Sequence, residues 1–322
     1  MAASGSPATA DVTSAGARDW FAPYRVDLGA VLGPFMHGRF DPTSLTDAAG
    51  GLWRTTRTPD GPATMHLSVV PGAADALVRG RAWGPGAPWA LDRMPTLLGA
   101  ADDPRGFPAD LLPERLRMRW AILGGRWRVP RSERVLEAVV SAILEQKVTG
   151  LESRRNWGSL VSAIGDVAPG PTPRPMRVFP TPDAISQVPS WQWHAWGVQP
   201  AQSATIMRAA SVAGRLEECC ALPLPAARRR VRAVEGVGPW TVAEVASRAL
   251  GDADAVSFGD FHLAGQLVYA LTGAIDGTDE QMAELLEPFA GHRQRVQRLV
   301  ETAGIKKPAR GPRAAITDHR RR

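Results

Sequence analysis

The sequence predicts an α+β protein in which a small domain with an antiparallel sheet precedes a larger domain made mainly of helices. In residues 19–112, glycine and proline separate short segments, and residues 64–70 alternate in polarity as a half-buried strand does. Residues 52–57 lead into Pro-Asp-Gly-Pro at 59–62, which predicts a hairpin with Asp-Gly as its turn. From about residue 113, apolar residues recur at helical spacing instead, so we expect the rest of the folded chain to be all-α.

Changes in composition divide the 322 residues into four segments. Residues 1–18 are rich in Ala, Ser, Gly and Thr and lack the apolar stretch of a signal peptide, so we expect a disordered tail. The small α+β domain then covers residues 19–112, and the helical domain covers residues 113–304. Residues 305–322 form a basic tail. This length is sufficient for two domains.

Several helices of the second domain carry their own packing or capping signals. Apolar residues at helical spacing between 136 and 144 mark the buried face of one helix. Thr181, Pro182 and Asp183 provide an N-cap, a proline at the first position and an acid that favours the helix dipole. The other helices are expected over residues 152–164, 201–213, 226–234, 238–250, 260–271, 278–288 and 293–303.

The composition excludes a membrane-spanning helix and a cysteine-ligated metal site. No run of 18 or more apolar residues occurs, whereas a membrane helix needs about 20. The two cysteines, Cys219 and Cys220, are adjacent and too few for a structural zinc site or an iron–sulfur cluster. We therefore expect a cytoplasmic protein without an iron–sulfur cluster or other cofactor.

The formal charge of +6 comes from the C-terminal tail. Residues 306–322 contain seven Lys and Arg residues against one Asp, so the preceding 305 residues are neutral overall. Such a tail can act as a non-specific tether to DNA or RNA. If the folded body binds nucleic acid, it must do so through a local arrangement of charges and backbone amides.

A glycine-containing turn between two predicted helices is the most informative local feature. Gly236 and Gly238 stand in this turn, where glycine allows positive φ and the close approach of another backbone. The N–H groups that open the second helix can hold a phosphate. Many soluble proteins contain a helix pair of this kind, so a purely structural role stays open. Asp260 follows about twenty residues later at a predicted helix start, where it fits either an N-cap or a functional carboxylate.

The segment Val-Glu-Gly-Val-Gly-Pro-Trp-Thr at residues 234–241, followed by Asp260, resembles the helix-hairpin-helix DNA glycosylase superfamily. Within it, the sequence is most similar to the bacterial inducible 3-methyladenine DNA glycosylases. The resemblance covers roughly residues 20–303, and it implies a helix-hairpin-helix glycosylase domain behind a small antiparallel-sheet domain. The other segments that fit in order are residues 57–62, 91–99, 142–148 and 179–182.

The resemblance also implies a role for each part of the motif. The backbone amides of the hairpin would hold phosphates beside a damaged base, with a Na⁺ or K⁺ ion on the hairpin's backbone carbonyls. Asp260 would stabilise an oxocarbenium-like sugar and orient or deprotonate the attacking water. The hairpin residues implied in DNA binding are Glu235, Gly236, Val237, Gly238 and Thr241.

Trp240 and three other positions determine the expected chemistry. In relatives that also cleave the DNA strand, a Lys nucleophile occupies the position of Trp240, and an indole cannot form an imine. We therefore expect a monofunctional enzyme in which Trp240 stacks on an electron-poor alkylated purine. Glu244 stands where the family often has a pocket Tyr, Glu301 falls near a pocket aromatic, and Lys147 falls where a Leu fills the emptied base stack.

The predicted function is base excision repair, with hydrolytic release of a flipped, alkylated purine from duplex DNA. The expected partner is damaged duplex DNA, bound by a monomer associated with the nucleoid. One alternative is a glycosylase for hypoxanthine or an oxidised base, in which Glu244 accepts a hydrogen bond from a base N–H. The other is a catalytically silent protein that binds DNA through the hairpin and the basic tail.

Overall fold

The computed structural model describes residues 16–70 and 77–308. A five-stranded antiparallel sheet near the N-terminus is followed by helices, and a two-stranded sheet interrupts these helices. The predicted α+β class with a mainly helical second part is confirmed. No helix within the described ranges is long and apolar enough to cross a lipid bilayer.

The strands of the two sheets are β1 Gly16–Phe21, β2 Ser44–Thr46, β3 Leu52–Thr58, β4 Gly61–Val69, β5 Leu77–Trp83, β6 Asp166–Val167 and β7 Arg177–Val178. The large sheet has the order β1-β5-β4-β3-β2 with all neighbours antiparallel. The small sheet pairs β6 with β7, between the helices predicted to end at residue 164 and to begin at Thr181. The second part of the chain is therefore mainly helical and not all-α as expected, because residues 166–167 and 177–178 form two short strands.

The hairpin predicted from residues 52–70 is present, but its turn is shifted by one residue. Thr58 pairs with Gly61, so Pro59 and Asp60 are the central turn residues, instead of Asp60 and Gly61. The Thr58 hydroxyl donates to the Gly61 carbonyl at 2.9 Å and accepts the Asp60 N–H at 3.1 Å. Gly61 has a φ of 120°, which favours glycine, and it begins β4.

Strand β1 corrects the N-terminal limit of the folded chain. Residues 16–18, which were assigned to a tail over 1–18, belong to β1 and pair with β5. Asp19 of β1 accepts two hydrogen bonds of 3.0 Å from Arg79 of β5, which helps to hold this edge strand. The remainder of that tail, residues 1–15, and residues 309–322 of the basic tail lie outside the described residues.

The α-helices of the described residues are α1 Leu28–Leu32, α2 Ala87–Leu97, α3 Glu114–Leu123, α4 Val135–Glu145, α5 Gly150–Ile164, α6 Pro182–Ser186, α7 Ser190–Ala195, α8 Pro200–Ser211, α9 Ala213–Glu217, α10 Leu224–Arg232, α11 Pro239–Ala249, α12 Leu263–Thr272, α13 Asp279–Leu286 and α14 Arg293–Thr302. The helices predicted in the second domain are all present, with ends shifted by at most about three residues, the usual uncertainty of helix ends. Thr181 caps α6 by accepting the Ala184 N–H at 3.0 Å, as its position predicted.

The buried apolar side chains form two large cores. The first contains the sheet together with helices α1–α3 and α12–α14. The second is formed by residues 135–255, which include α4, α8 and α11. The chain thus returns to the first core after residue 255, and the sequence boundary at residue 112 does not separate the two cores. The segment that carries Asp260 begins where the chain passes from the second core to the first.

Candidate active site

Residues 233–238 join α10 to α11 in a tight turn. Gly236 has a φ of 91°, and a Cβ atom there would lie 2.1 Å from Thr205 Oγ1, so only glycine fits. Gly238 has a negative φ and open space around it, so its role differs. It is the N-cap of α11, and no side chain caps this helix end. The first amides of α11 are therefore available to an anion.

Trp240 and Asp260, which the sequence places twenty residues apart, are in direct contact. The indole Nε1–H of Trp240 donates to Asp260 Oδ2 at 3.1 Å. Both side chains are half-buried, so each is desolvated on one side and open on the other. The hydrogen bond fixes the direction of one carboxylate oxygen at the start of α11.

The second oxygen of Asp260 caps α12. Oδ1 accepts the N–H groups of His262 at 2.8 Å and Leu263 at 2.9 Å. This explains why α12 begins at Leu263, three residues later than predicted. The capping role and a functional role are compatible, because Oδ1 serves the helix end while Oδ2 faces Trp240.

Glu244 lies one turn after Trp240 and is held in a buried ionic network. Its Oε2 accepts a hydrogen bond from Arg248 Nη2 at 2.6 Å, and its Oε1 accepts one from the Ser257 hydroxyl. Arg248 also donates to both carboxylate oxygens of Glu145 at the end of α4, at 3.1 and 2.9 Å. Both oxygens of Glu244 are thus engaged by the protein itself. The proposed base-recognition role of Glu244 stays a prediction.

The pKa values of the two carboxyl groups in this network are shifted in opposite directions. Burial raises the pKa of Glu244; Arg248 opposes this rise, and the neighbouring Glu145 adds to it. Against the effect of burial, Arg248 lowers the pKa of Glu145. The pKa of Arg248 is raised because two carboxylates outweigh its own burial. Arg248 therefore carries a charge, and Glu145 is its better ionised partner.

Gln297 connects helix α14 to Ser257, the residue that contacts Glu244. Its side-chain carbonyl accepts the Ser257 N–H at 3.2 Å, and its amide donates to Glu301 Oε1 at 2.9 Å. Arg298 lies 3.3 Å from the other oxygen of Glu301. The N–H of Asp260 donates to the Ser257 carbonyl at 3.3 Å. Ser257 therefore connects α11, α14 and the segment that leads to Asp260.

Lys147 lies on an exposed loop between α4 and α5 that touches the hairpin. Its φ of 54° is uncommon for a residue other than glycine, and such conformations are concentrated at functional sites. The preceding Gln146 donates from Nε2 to Thr241 Oγ1 at 2.8 Å and to the Gly236 carbonyl at 3.4 Å. Thr241 is only 1% exposed, and its side chain joins the end of α4 to the hairpin.

The remaining hairpin residues face different surroundings. Val237 is buried at 1% exposure and anchors the turn in the second core. Glu235 is exposed, and its Oε1 lies 3.3 Å from Nη2 of Arg208 on α8. This ion pair directs the carboxylate toward α8. We therefore expect Glu235 to contribute its backbone, and not its side chain, to an anion site.

The structure places Trp240 and Asp260 in contact, and Gln146, which precedes Lys147, contacts the hairpin. It also links Glu244 and Glu301 through Ser257 and Gln297. Sequence reasoning missed the residues that make these links: Glu145, Gln146, Arg248, Ser257 and Gln297. It also missed Phe261, which directly follows Asp260 and is 93% exposed. The only sequence signal for Phe261 was its position beside Asp260.

Solved structures share this architecture, although no protein-family model and no curated protein matches the sequence. The 3-methyladenine DNA-glycosylase of Archaeoglobus fulgidus superposes with a TM-score of 0.74 and 19% identity, over 89% of this chain and 98% of that one. The 8-oxoguanine glycosylase/lyase of Clostridium acetobutylicum, in complex with dsDNA containing cytosine opposite 8-oxoG, has a TM-score of 0.64 and 11% identity, over 86% and 91%. At these identities the similarity shows the fold, which is that of the helix-hairpin-helix DNA glycosylases, as the sequence motif predicted.

Proposed function

We propose that this protein is a monofunctional DNA glycosylase that hydrolyses the N-glycosidic bond of a damaged purine in duplex DNA. The observation that carries the proposal is the contact between Trp240 Nε1 and Asp260 Oδ2 at 3.1 Å, at the start of the second hairpin helix. It combines a carboxylate, an aromatic face and unengaged helix amides in one place. The shared fold with DNA glycosylases supports the same activity.

The reaction assigned to Asp260 is a hydrolysis. The bond between the sugar C1′ and the base nitrogen breaks, and the base leaves with the electron pair. The positive charge that develops on the sugar is stabilised by the carboxylate of Asp260, which the cap of α12 and the indole of Trp240 hold in place. A water molecule then attacks C1′ and loses a proton to Asp260, which leaves an abasic site.

The absence of strand cleavage in this proposal follows from Trp240. A lyase step through a Schiff base needs an amine next to the sugar C1′. The residue that contacts Asp260 is an indole, whereas the amine of Lys147 belongs to the loop after α4. Excision without β-elimination is therefore expected, although the superposed 8-oxoguanine enzyme is described as a glycosylase/lyase.

An alkylated purine is the substrate class that suits this site best. N3- or N7-alkylation gives the purine a positive charge, and a cation over the face of an indole gains about 1–2 kcal/mol when it is desolvated. Asp260 adds negative charge beside the same ring. A neutral lesion such as hypoxanthine or 8-oxoguanine gains less from either group, so it ranks second.

Base release from defined duplexes tests the proposal. Wild type, Asp260→Asn and the control Asp110→Asn, an exposed residue on a different segment, are incubated with DNA containing 3-methyladenine, 7-methylguanine, hypoxanthine or 8-oxoguanine. We expect release of the alkylated bases by wild type and the control, and a loss of at least about 100-fold for Asp260→Asn. Equal rates in all three proteins would contradict the role of Asp260.

Borohydride reduction during the reaction tests the monofunctional assignment. No covalent protein–DNA adduct should form, and the product strand should break only after alkali treatment. A trapped adduct would contradict this part of the proposal. A protein that binds every duplex and releases no base would instead be the silent DNA-binding protein.

A further inference from the structure

Three carbonyl groups of the hairpin accept hydrogen bonds from the protein's own donors. Arg232, the last residue of α10, donates from Nη1 to the carbonyl oxygen of Val237 at 2.5 Å. The carbonyl of Val234 accepts the Val237 N–H at 3.0 Å, and that of Gly236 accepts from Gln146 Nε2 at 3.4 Å. A guanidinium thus contacts the same turn at which the family resemblance implies a monovalent cation.

The charge of Arg232 is not neutralised by a carboxylate among the described residues. Its neighbours on α10 are paired, Arg228 with Asp252 and Arg230 with Glu218, and the carboxylate of Glu235 lies against Arg208. The guanidinium of Arg232 has the Val237 carbonyl as its partner instead. The guanidinium of Arg232 therefore places a positive charge against the Val237 carbonyl, in the turn that precedes the first amides of α11.

A monovalent cation does not fit this arrangement. Such an ion is held by several carbonyl oxygens that point at one position, and here the Val237 oxygen is directed at a guanidinium. A second unit charge at about 4 Å from the first would cost roughly 1–4 kcal/mol by Coulomb repulsion near a protein surface. The carbonyls of Val234 and Gly236 are also hydrogen-bonded, which leaves them weaker ligands.

We infer that Arg232 takes the place of the hairpin cation, so that the phosphate-binding turn carries a covalently attached positive charge. The inference rests on the DNA-binding part of the proposed function and is independent of the excised base. Its consequence is that DNA binding depends on ionic strength but not on which monovalent cation is present.

Binding of a duplex with a tetrahydrofuran abasic analogue tests this inference. Affinity is measured by fluorescence anisotropy in NaCl, KCl or tetramethylammonium chloride at one ionic strength, since tetramethylammonium is too large for a carbonyl site. For wild type we expect values equal within about twofold in the three salts. A loss of more than about fivefold in tetramethylammonium would show that a small cation is required, and would overturn the inference.

Variants of Arg232 provide the matched comparison. Arg232→Gln should bind several-fold more weakly and should recover affinity in Na⁺ or K⁺ relative to tetramethylammonium, whereas Arg232→Lys should stay independent of the cation. Arg229→Gln, an exposed neighbour on α10, controls for the loss of one surface charge. If Arg232→Gln behaves as Arg229→Gln does in all three salts, Arg232 is only a surface charge and the inference is wrong.

Thermal unfolding of the free protein gives a reading that needs no DNA. A specifically bound ion raises the Tm as its concentration increases. We expect the Tm of wild type to be the same in the three salts, and that of Arg232→Gln to be higher in Na⁺ or K⁺ than in tetramethylammonium. A wild-type Tm that rises specifically with Na⁺ or K⁺ would contradict the inference even if the protein bound no DNA, and a failure to bind DNA in any salt would count against the proposed function instead.

Discussion

At the scale of single residues, the indole of Trp240 has two surfaces with different uses. Its N–H group is directed at Asp260 Oδ2, while its ring is only half-buried and offers a face to a ligand. A hydrogen bond to a charged group contributes about 1.5–3 kcal/mol, so the N–H and the ring face can be separated by substitution.

Trp240→Phe keeps an aromatic face and removes the hydrogen bond to Asp260. We expect base release to slow by about 10- to 100-fold, because 1.4 kcal/mol corresponds to a factor of ten in rate. Single-turnover rates with 7-methylguanine DNA measure this, and Trp191→Phe, at a residue that is 67% exposed, is the control. An unchanged rate for Trp240→Phe would mean that the indole N–H does not orient the carboxylate.

His37 makes the stability of the fold depend on pH. Burial lowers its pKa from 6.5 to about 4, although the carboxylates of Asp41 and Glu145 oppose the change; Arg248 and Arg54 also face it and add to the lowering. The ring stacks on Trp157 at 4.2 Å and stays neutral in the folded protein, whereas the unfolded chain takes up a proton near pH 6.5. Stability from this residue is therefore complete above about pH 6.5 and is lost as the pH falls toward 4.

Urea unfolding of wild type and His37→Phe between pH 7 and pH 4.5 isolates this contribution. The variant keeps a ring against Trp157 but cannot titrate, so its free energy of unfolding should fall less over this interval. His262→Asn removes an exposed histidine and should follow wild type. Parallel curves for wild type and His37→Phe would contradict the assignment.

Single residues also show which parts of the candidate site could be predicted from the sequence. The pattern of two glycines and a spaced aspartate, together with the family resemblance, predicted the hairpin, Trp240 and Asp260 as site residues, and the structure places Trp240 and Asp260 in contact. The partners of Glu244 could not be identified in this way. Its network includes Glu145 on α4, which lies about a hundred residues earlier in the chain than Arg248, and side-chain spacing carries no information over that distance.

At the scale of elements, Ser257 connects the segment before Asp260 to helices α11 and α14 by hydrogen bonds. Its hydroxyl donates to Glu244 of α11, and its N–H donates to Gln297 of α14. The start of α12 depends on the same segment, because Asp260 caps it from three residues upstream. The predicted helix began three residues too early, because Asp260 lies in the turn that caps α12 and not in the helix itself.

Ser257→Ala should weaken this connection and leave the hairpin at residues 233–238 unchanged. We expect slower base release at an unchanged affinity for abasic DNA, and a loss of about 1–3 kcal/mol in stability because Glu244 Oε1 loses its hydrogen bond. Ser186→Ala, at an exposed hydroxyl on α6, is the control. A variant that is destabilised but releases base at the wild-type rate would show that Ser257 is purely structural.

At the scale of the whole molecule, buried ion pairs join segments that are distant in sequence. Arg54 of the sheet lies 2.7 Å from Glu137 of α4 and joins the two cores. Arg295 of α14 is fully buried and donates to Asp102 Oδ2 at 2.9 Å, and to the His292 ring at 3.0 Å. The Arg295 pair attaches the C-terminal helices to the chain that follows α2.

Arg295→Met should therefore destabilise the protein by about 3–5 kcal/mol, because it leaves the carboxylate of Asp102 buried without its partner. Chemical unfolding measures the change. Arg105→Met removes an arginine that is 89% exposed and paired with Asp103, and it should change stability little. Similar unfolding midpoints for the two variants would contradict the importance of the buried pair.

The assembly of the two cores was not predictable from the sequence. Periodicity shows which face of α12 or α14 is apolar, but it does not show that these faces cover the sheet domain instead of the preceding helices. The class of fold followed from local patterns, and the packing partners followed from long-range complementarity.

The side chains at the end of α4 connect the two parts of the candidate site. Glu145 reaches Arg248 and, through it, Glu244 and the segment before Asp260, while the adjacent Gln146 reaches Thr241 of the hairpin. Two consecutive residues are thus connected both to the hairpin, which we propose binds a phosphate, and to the segment before Asp260, where we propose that the glycosidic bond breaks. These contacts fix the position of the hairpin relative to the segment before Asp260, whatever the conformation of the long chain between α4 and α11. The position of Lys147, the next residue, is fixed by the same contacts.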